Sequence, residues 1–445
     1  MTSIVDFIHG LKFETLTNEV IDAAHRALTD TLGVAVAAST IELSAIIHNH
    51  ATSQFGAGSD GKASLWQDGR SVSPAGAALA NGMTIDALDA HDGYKPAKGH
   101  VGCGVIPALI AMAEATGNDD PQEFITSLIM GYEIGSRAGD ALHATACDYH
   151  TSGAWVALAT AAIAARYLKL TSQQTKEALG IAEYHGPRSQ MMRTIDHPTM
   201  VKDGSGWGAM AGISAAYLAR DGFTGAPAIS MEAEAVAKFW DNLGKRWLVQ
   251  EQYIKLYPVC RWAQPPVEAV LAIRREHSFG LDDIKSIKII TFHESLRLAT
   301  KHPTTTEQAQ YSLPYPVSVA LVHGTITATH VSNEALSDPT MTAIRDKIEV
   351  VESDAFNKEF PARRIAQVEI ELMDGRLLAS EPTEAIGDPE NPVSDQVIRE
   401  KFTALTHPIL GAEKSGELFH ITQNMAFAKT VCPLFTALST PSSKS

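Results

Sequence analysis

The chain has 445 residues, a formal net charge of -15 at pH 7 and 45% apolar residues, with a mean hydropathy near zero. That length exceeds what one hydrophobic core usually holds, so two domains are expected in a water-soluble globular protein. The acidic balance argues against a nucleic acid or an anionic membrane as partner, and leaves room for a locally basic pocket that takes an acidic ligand.

The first residues, "MTSIVDFIHGLKFETLTNEV", lack the basic, apolar and small-residue regions of a signal peptide, and no run of about 18 uninterrupted apolar residues follows. A cytoplasmic protein is expected. Cys103, Cys147, Cys260 and Cys432 lie far apart without a CxxC pair, which fits reduced thiols better than a disulfide or zinc framework. HExxH, EF-hand and Walker A motifs are missing, which is consistent with chemistry that needs neither a metal nor an organic cofactor. The glycines of "DGSGWG" (203–208) follow no strand pattern and are not read as a nucleotide loop.

From residue 15 to about 250 apolar residues recur at helical spacing in segments crowded with alanine and glycine: "VIDAAHRALTDTLGVAVAA", "PAGAALANGMTIDALDA", "GVIPALIAMAEATG", "AWVALATAAIAARYLKL" and "GAMAGISAAYLARDG". Several end in glycine, as a C-cap should, and the small residues predict a compact helical bundle with close crossings. After about residue 252 the period changes to two in "DIKSIKIITF" and "IAQVEIELMDGRLLAS", the latter centred on Asp374-Gly375, a hairpin signal. The helical period returns in "SDQVIREKFTAL" after "GDPENP" (387–392), and the polar tail "STPSSKS" (439–445) reads as disordered. The fold class is therefore mainly α: a helical domain of 1–252 and 393–445, built from both chain ends, with a smaller α+β lid domain, 253–392, inserted between them.

Titratable residues crowd 86–104, "DALDAHDGYKPAKGHVGCG". Ser73-Pro74 predicts a helix start and a helix from 74 to about 90, which would put Asp86 and Asp89 in its exposed last turn. There they face the unfavourable end of the helix dipole, a local violation that hints at function. The Asp86, Asp89, His91, Asp92 group is read as a hydrogen-bonded hinge rather than a metal site. His100 stands just ahead of the next helix, and His150 repeats the layout before a helix capped by Thr151 or Ser152. A helix N-terminus would hold such imidazoles neutral and able to accept a proton; read singly, each histidine would simply cap its helix or bond a loop carbonyl. Arg188, Arg193 and Lys202 share a polar loop, and Lys255 and Arg261 sit at the domain junction, together able to gather a multiply charged anion. Tyr315 opens an apolar stretch, where its hydroxyl is either catalytic or satisfied within a core.

In their order and spacing, "LTDTLGVAVAA", "LDAHDGYKPAKGHVG", "YHTSGAWVALATAA", "MVKDGSGWGAMAGISAAYLARDGFTGAP", "IKLYPVCRW" and "QYSLPYPVSVALVHG" resemble the MmgE/PrpD family, which includes 2-methylcitrate dehydratase, cis-aconitate decarboxylase and iminodisuccinate epimerase. The resemblance implies a helical domain made from both termini, a lid between them, an active site in the cleft and a homodimer. By motif it implies functional roles for Asp89, His100, His150, Lys202, Lys255 and Tyr315. Dehydratase and decarboxylase members usually read like "DFDDT" and "HPSG" where this chain has "DAHDG" and "HVGC", and the stretch before Lys202 carries the additional Arg188 and Arg193. The shared chemistry is removal of a proton next to a carboxylate, with Lys202 and Lys255 stabilising the charge that develops. The activity expected from this resemblance is a cofactor-independent epimerase acting on a small polycarboxylate, iminodisuccinate, bound by Arg188, Arg193 and Arg261. The alternatives are a 2-methylcitrate dehydratase or a cis-aconitate decarboxylase-like lyase, and a catalytically silent carboxylate-binding protein.

Overall fold

A computed structural model describes residues 3–441; of the tail read as disordered, residues 442–445 lie outside the described residues. The chain forms a two-domain, mainly α fold. The Asn18–Ala38 helix is buried continuously from Ala27 to Ala38, and Pro74–Ala87, Gly102–Thr116, Pro121–Thr145, Gly153–Tyr167, Ser172–His185 and Ser205–Arg220 complete the bundle. The local signals act as expected. Ser73 Oγ accepts the Gly76 N–H ahead of Pro74, and Gly117, at φ 66°, closes the Gly102–Thr116 helix.

Small residues let the central helices touch. A Cβ on Gly208 would lie 2.4 Å from the carbonyl oxygen of Gly153, and one on Gly206 would lie 2.3 Å from that of Leu79. The nearest neighbour in both cases is a backbone oxygen, which cannot rotate away. Gly208→Ala is therefore expected to lower stability by about 1–3 kcal/mol through overpacking, read as a lower midpoint in thermal denaturation; an unchanged midpoint would show that this crossing tolerates a methyl group.

The second domain carries a four-stranded sheet. Ile284–Thr291 pairs in parallel with Ile348–Glu352 on one side and antiparallel with Ala366–Leu372 on the other, which pairs in turn with Leu377–Ala379. The turn before the last strand contains Asp374-Gly375, with Gly375 at φ 88°, a conformation glycine adopts without a Cβ penalty. Burial alternates strictly along Ala366–Leu372, which explains the period of two.

Two connections position the site. Gly93–Tyr94 pairs antiparallel with Gln252–Tyr253, which ties the histidine-bearing loop to the strand that leads into Lys255. At the other end of the chain, the Asp395–Gln423 helix returns to Asn18–Ala38, where Lys401 Nζ donates to Asp30 Oδ1 at 2.5 Å and to the Ala90 carbonyl at 2.7 Å. This helix is longer than its apolar period suggests because two helical segments meet at a kink: Pro408 lies inside it and Gly411 leaves helical dihedrals, at φ 76° and ψ 169°. Among the described residues no single helix is long and apolar enough to cross a membrane.

Candidate active site

The Pro74–Ala87 helix ends before Asp89, and Asp86 and Asp89 are buried rather than exposed, with 1% and 2% of their surfaces accessible. The reason lies across the bundle. Asp86 Oδ2 accepts the Ser205 N–H at 3.0 Å and Oδ1 the Ser205 hydroxyl at 3.2 Å, so the carboxylate sits at the favourable N-terminus of another helix, Ser205–Arg220. Burial still lifts its pKa above the usual carboxylate range, against the Ser205 bonds and the charges of His100 and Lys202.

Asp89 Oδ1 is paired with Lys255 Nζ, and the same ammonium donates to the Asp89 carbonyl at 3.3 Å. Lys255 is fully buried. Burial alone would raise the Asp89 pKa, but Lys255, His100 and Lys202 outweigh it and hold the carboxyl well below its usual range. Lys202 Nζ donates to Gln310 Oε1 at 2.8 Å and lies 4.9 Å from the centre of the Tyr311 ring. Its backbone has φ 47°, a left-handed conformation that costs a lysine energy and that gathers at functional sites.

His100 lies between these groups. Its Nδ1 is 2.5 Å from the Asp92 carbonyl; a carbonyl only accepts, so Nδ1 carries the hydrogen and Nε2 the lone pair. Nε2 faces Asp203 Oδ2 at 3.5 Å and Asp89 Oδ1 at 3.8 Å. Burial first, and the Lys255 charge second, lower the imidazole pKa to about 4, so the neutral form expected from a helix N-terminus has burial and Lys255 as its main causes. The His91 ring packs against His100 with centroids 4.4 Å apart. Its Nδ1 bonds the Leu88 carbonyl at 3.3 Å, its buried Nε2 makes no hydrogen bond, and burial with Lys255 lowers its pKa to about 3. Burial also raises Asp203, against the pull of His100. The outcome is a neutral base flanked by Asp203, whose pKa burial raises, the Asp89 carboxylate and two amines.

The structure thus brings together Asp89, His100, Lys202 and Lys255. The remaining sequence candidates make no hydrogen bond or ion pair with these four among the described residues. His150 pairs with Asp148 (Nε2 to Oδ1 3.7 Å) and stacks on His143, and its Nδ1 is buried without a partner. The helix after it is capped by neither Thr151 nor Ser152 through a side chain; the Ser152 hydroxyl instead accepts the His100 N–H and donates to Asp203. Tyr315 is a core residue whose hydroxyl donates to the His330 carbonyl at 2.5 Å. Arg261 is spent on Asp388, Gln264 and the Ile386 carbonyl and cannot clamp a substrate without breaking them. Arg188 and Arg193 are solvent-exposed, Arg188 with its nearest carboxylate, on Glu183, 4.0 Å away. Sequence reasoning passed over Asp203, Gln310 and Tyr311, although Asp203 directly follows Lys202 and the other two begin a quoted motif.

Two donor sets, Asp86 with His91 and Cys103, and Asp89 with His91 and His100, have ligand atoms within 4.8 Å of one another. They fit a cation poorly. Lys255 already occupies the Asp89 oxygen, Lys202 adds a second amine close by, and burial pushes the Cys103 thiol well above its usual pKa, away from the thiolate a metal needs. A cavity of about 1000 Å³ opens between the domains, walled by Leu88, Ala90, Met200, Leu256, Thr306 and Glu307. These are close chain neighbours of Asp89, Lys202, Lys255 and Gln310.

Residues 2–242 match the MmgE/PrpD N-terminal domain and residues 257–425 the MmgE/PrpD C-terminal domain. The chain is 26% identical to cis-aconitate decarboxylase of Homo sapiens, with 99% of this chain and 94% of that protein aligned. It is 24% identical to cis-aconitate decarboxylase of Aspergillus terreus over 84% of this chain and 83% of the relative. A mitochondrial 2-methylcitrate dehydratase of Yarrowia lipolytica is 31% identical over 50% of this chain and 47% of its own. These relatives are lyases, which agrees with the alternative activity drawn from the sequence and gives no support to the epimerase. With both family domains matched in order along a two-domain helical fold, the chain belongs to the MmgE/PrpD family.

Proposed function

We propose that the protein is a lyase acting on a small tricarboxylate of the cis-aconitate type. The observation that carries this reading is the neutral His100 imidazole, its Nε2 lone pair directed at Asp203 and Asp89, between the amines of Lys202 and Lys255. The amines hold substrate carboxylates and offset negative charge that builds up in the transition state. In a decarboxylation, the bond to one carboxylate breaks and its electron pair moves into the adjacent double bond. A proton is added at the far carbon and carbon dioxide leaves. That proton comes from solvent, accepted at His100 Nε2 beside Asp203 and passed on to the substrate carbon, and solvent restores it for the next turnover. His150, with its unpartnered Nδ1, is the candidate for a contact on the opposite side of the substrate. Iminodisuccinate epimerisation drew support from Arg188 and Arg193, both solvent-exposed, and from Arg261, which Asp388, Gln264 and the Ile386 carbonyl hold.

A homodimer belongs to the same proposal. The Ser205–Arg220 helix leaves Trp207 and Leu218 each 41% exposed, and Val201 and Phe223 flank it, an apolar face suited to a second copy. The unpaired thiols fit the reducing conditions of a cytoplasm.

Proton NMR in D2O with cis-aconitate, 2-methylcitrate and iminodisuccinate stereoisomers tests the reaction. Loss of cis-aconitate with deuterium in the product is the expected result. Olefinic signals from 2-methylcitrate alone would make the protein a dehydratase. Deuterium entering the α-carbon of interconverting iminodisuccinate isomers would overturn the lyase reading, and turnover of none would leave a binding protein.

A further inference from the structure

Besides Lys255, the second domain reaches the proton-transfer groups through the fully buried amide of Gln310, at the end of the Thr306–Gln310 helix. Its Oε1 accepts the Asp89 N–H at 2.8 Å and the Lys202 ammonium at 2.8 Å. Its Nε2 donates to the Ala87 carbonyl at 3.0 Å and to Thr306 Oγ1 at 2.8 Å. The Gln310 carbonyl accepts the Cys260 N–H at 2.8 Å, on the loop that follows Lys255. Every hydrogen-bonding position of the side chain is used, and three of its four side-chain bonds cross to the helical domain. We propose that Gln310 is a positioning residue that couples docking of the second domain to placement of the Lys202 ammonium and the Asp89 main chain, so that the site is complete only when the domains are seated together. The proposal rests on the lyase reading, in which Lys202 meets a substrate carboxylate.

An amide suits this position because it offers an acceptor and a donor in a fixed arrangement. A carboxylate would strengthen the bond to Lys202 and lose both donations from Nε2. A leucine would fill the space and remove the hydrogen bond to the Lys202 ammonium. The groups that face Lys202 are Asp86 and Asp89 from the end of the Pro74–Ala87 helix, Glu307 from the Gln310 helix and Lys255 from the domain junction, together with the Tyr311 ring. Burial lowers the Lys202 pKa against these carboxylates. Changing Gln310 should therefore move Lys202 in a direction set by the charge introduced.

The experiment compares Gln310→Glu, Gln310→Leu and wild type. Competitive acetylation of Lys202 across pH, read by peptide mass spectrometry, gives its titration midpoint, and cis-aconitate turnover gives kcat and its pH profile. Gln310→Glu should raise the midpoint by at least about one pH unit, as a new opposite charge at contact distance does. Gln310→Leu should lower it. The alkaline limb of kcat should follow each midpoint, and kcat itself should fall roughly 100-fold in both variants through misplacement of the site. Midpoints and profiles unchanged from wild type, or both variants shifted in the same direction, would overturn the positioning role. Should Gln310→Leu fail to fold, the near-isosteric Gln310→Glu decides alone: an unmoved midpoint overturns the proposal. If the wild type turns over no tricarboxylate, the lyase reading falls, while the acetylation midpoints still decide whether Gln310 sets Lys202.

Discussion

Lys255→Ala should lose activity by about 10²–10³-fold, the usual cost of removing one preorganised group that stabilises developing charge, and should also lose about 3–5 kcal/mol of stability, because an unpaired buried charge is left behind. The charge in question is Asp89, 2% exposed and held below its ordinary pKa chiefly by Lys255 against the cost of burial. Once the ammonium is gone, the neighbour facing Asp89 Oδ1 is the neutral His100 ring at 3.8 Å, which does not replace its charge. Urea denaturation monitored by circular dichroism measures the stability change. The double variant Asp89→Asn with Lys255→Met separates the two effects: replacing both partners of a buried pair is often close to neutral for stability, so the fold should recover while turnover stays lost. Turnover that returned with the fold would show the pair to be structural and would place the chemistry elsewhere.

What could be read from the sequence were signals whose cause lies within a few residues. Ser73-Pro74 starts a helix by its own cap, Gly117 ends one by its own left-handed dihedral, and the alternation along Ala366–Leu372 declares a half-buried strand. The conflict at Asp86 was also legible, as a carboxylate at the wrong end of its helix, but its resolution was not, because Ser205 lies 119 residues away. The same distance effect misled the reading of the cations. Arg261 has the residue type and position of a substrate clamp, yet Asp388, 127 residues on, holds it. Tyr315 is answered by a main-chain carbonyl at His330, which no side-chain pattern announces. Arg193 lies in the short Met191–Asp196 helix on an exposed face, and six residues are too few for a periodicity to show which face is buried. Lys202 and Lys255, singled out by motif, do lie beside Asp89 and Gln310, and the amide that bonds Lys202, Gln310, was overlooked because its contacts cross between domains.

His100→Gln should reduce kcat by about 10²–10⁴-fold, the range of a general acid–base group, with a small effect on folding at neutral pH because a glutamine amide can still donate to the Asp92 carbonyl. In the wild type the acid limb of kcat/KM should fall near pH 4, since burial and Lys255 bring the imidazole to about that value, rather than near the ordinary histidine value of about 6.5. The linkage has a definite sign. The unfolded chain takes up a proton at His100 as pH drops below about 6.5 while the folded chain does not until about 4, so stability is lost across that window by about 3 kcal/mol at about 1.4 kcal/mol per pKa unit. His91, lowered to about 3, acts in the same direction. Asp92 acts in the opposite one: burial raises it to about 7, so its contribution is full below the ordinary carboxylate pKa and is lost as pH rises through 7. Because these terms overlap, the informative quantity is the difference between wild type and His100→Gln in urea denaturation at pH 7 and pH 4.5. The variant should lose less stability than the wild type on acidification. A variant that loses as much, with an acid limb of kcat/KM near 6.5 in the wild type, would show that His100 is not the buried neutral base that the geometry describes.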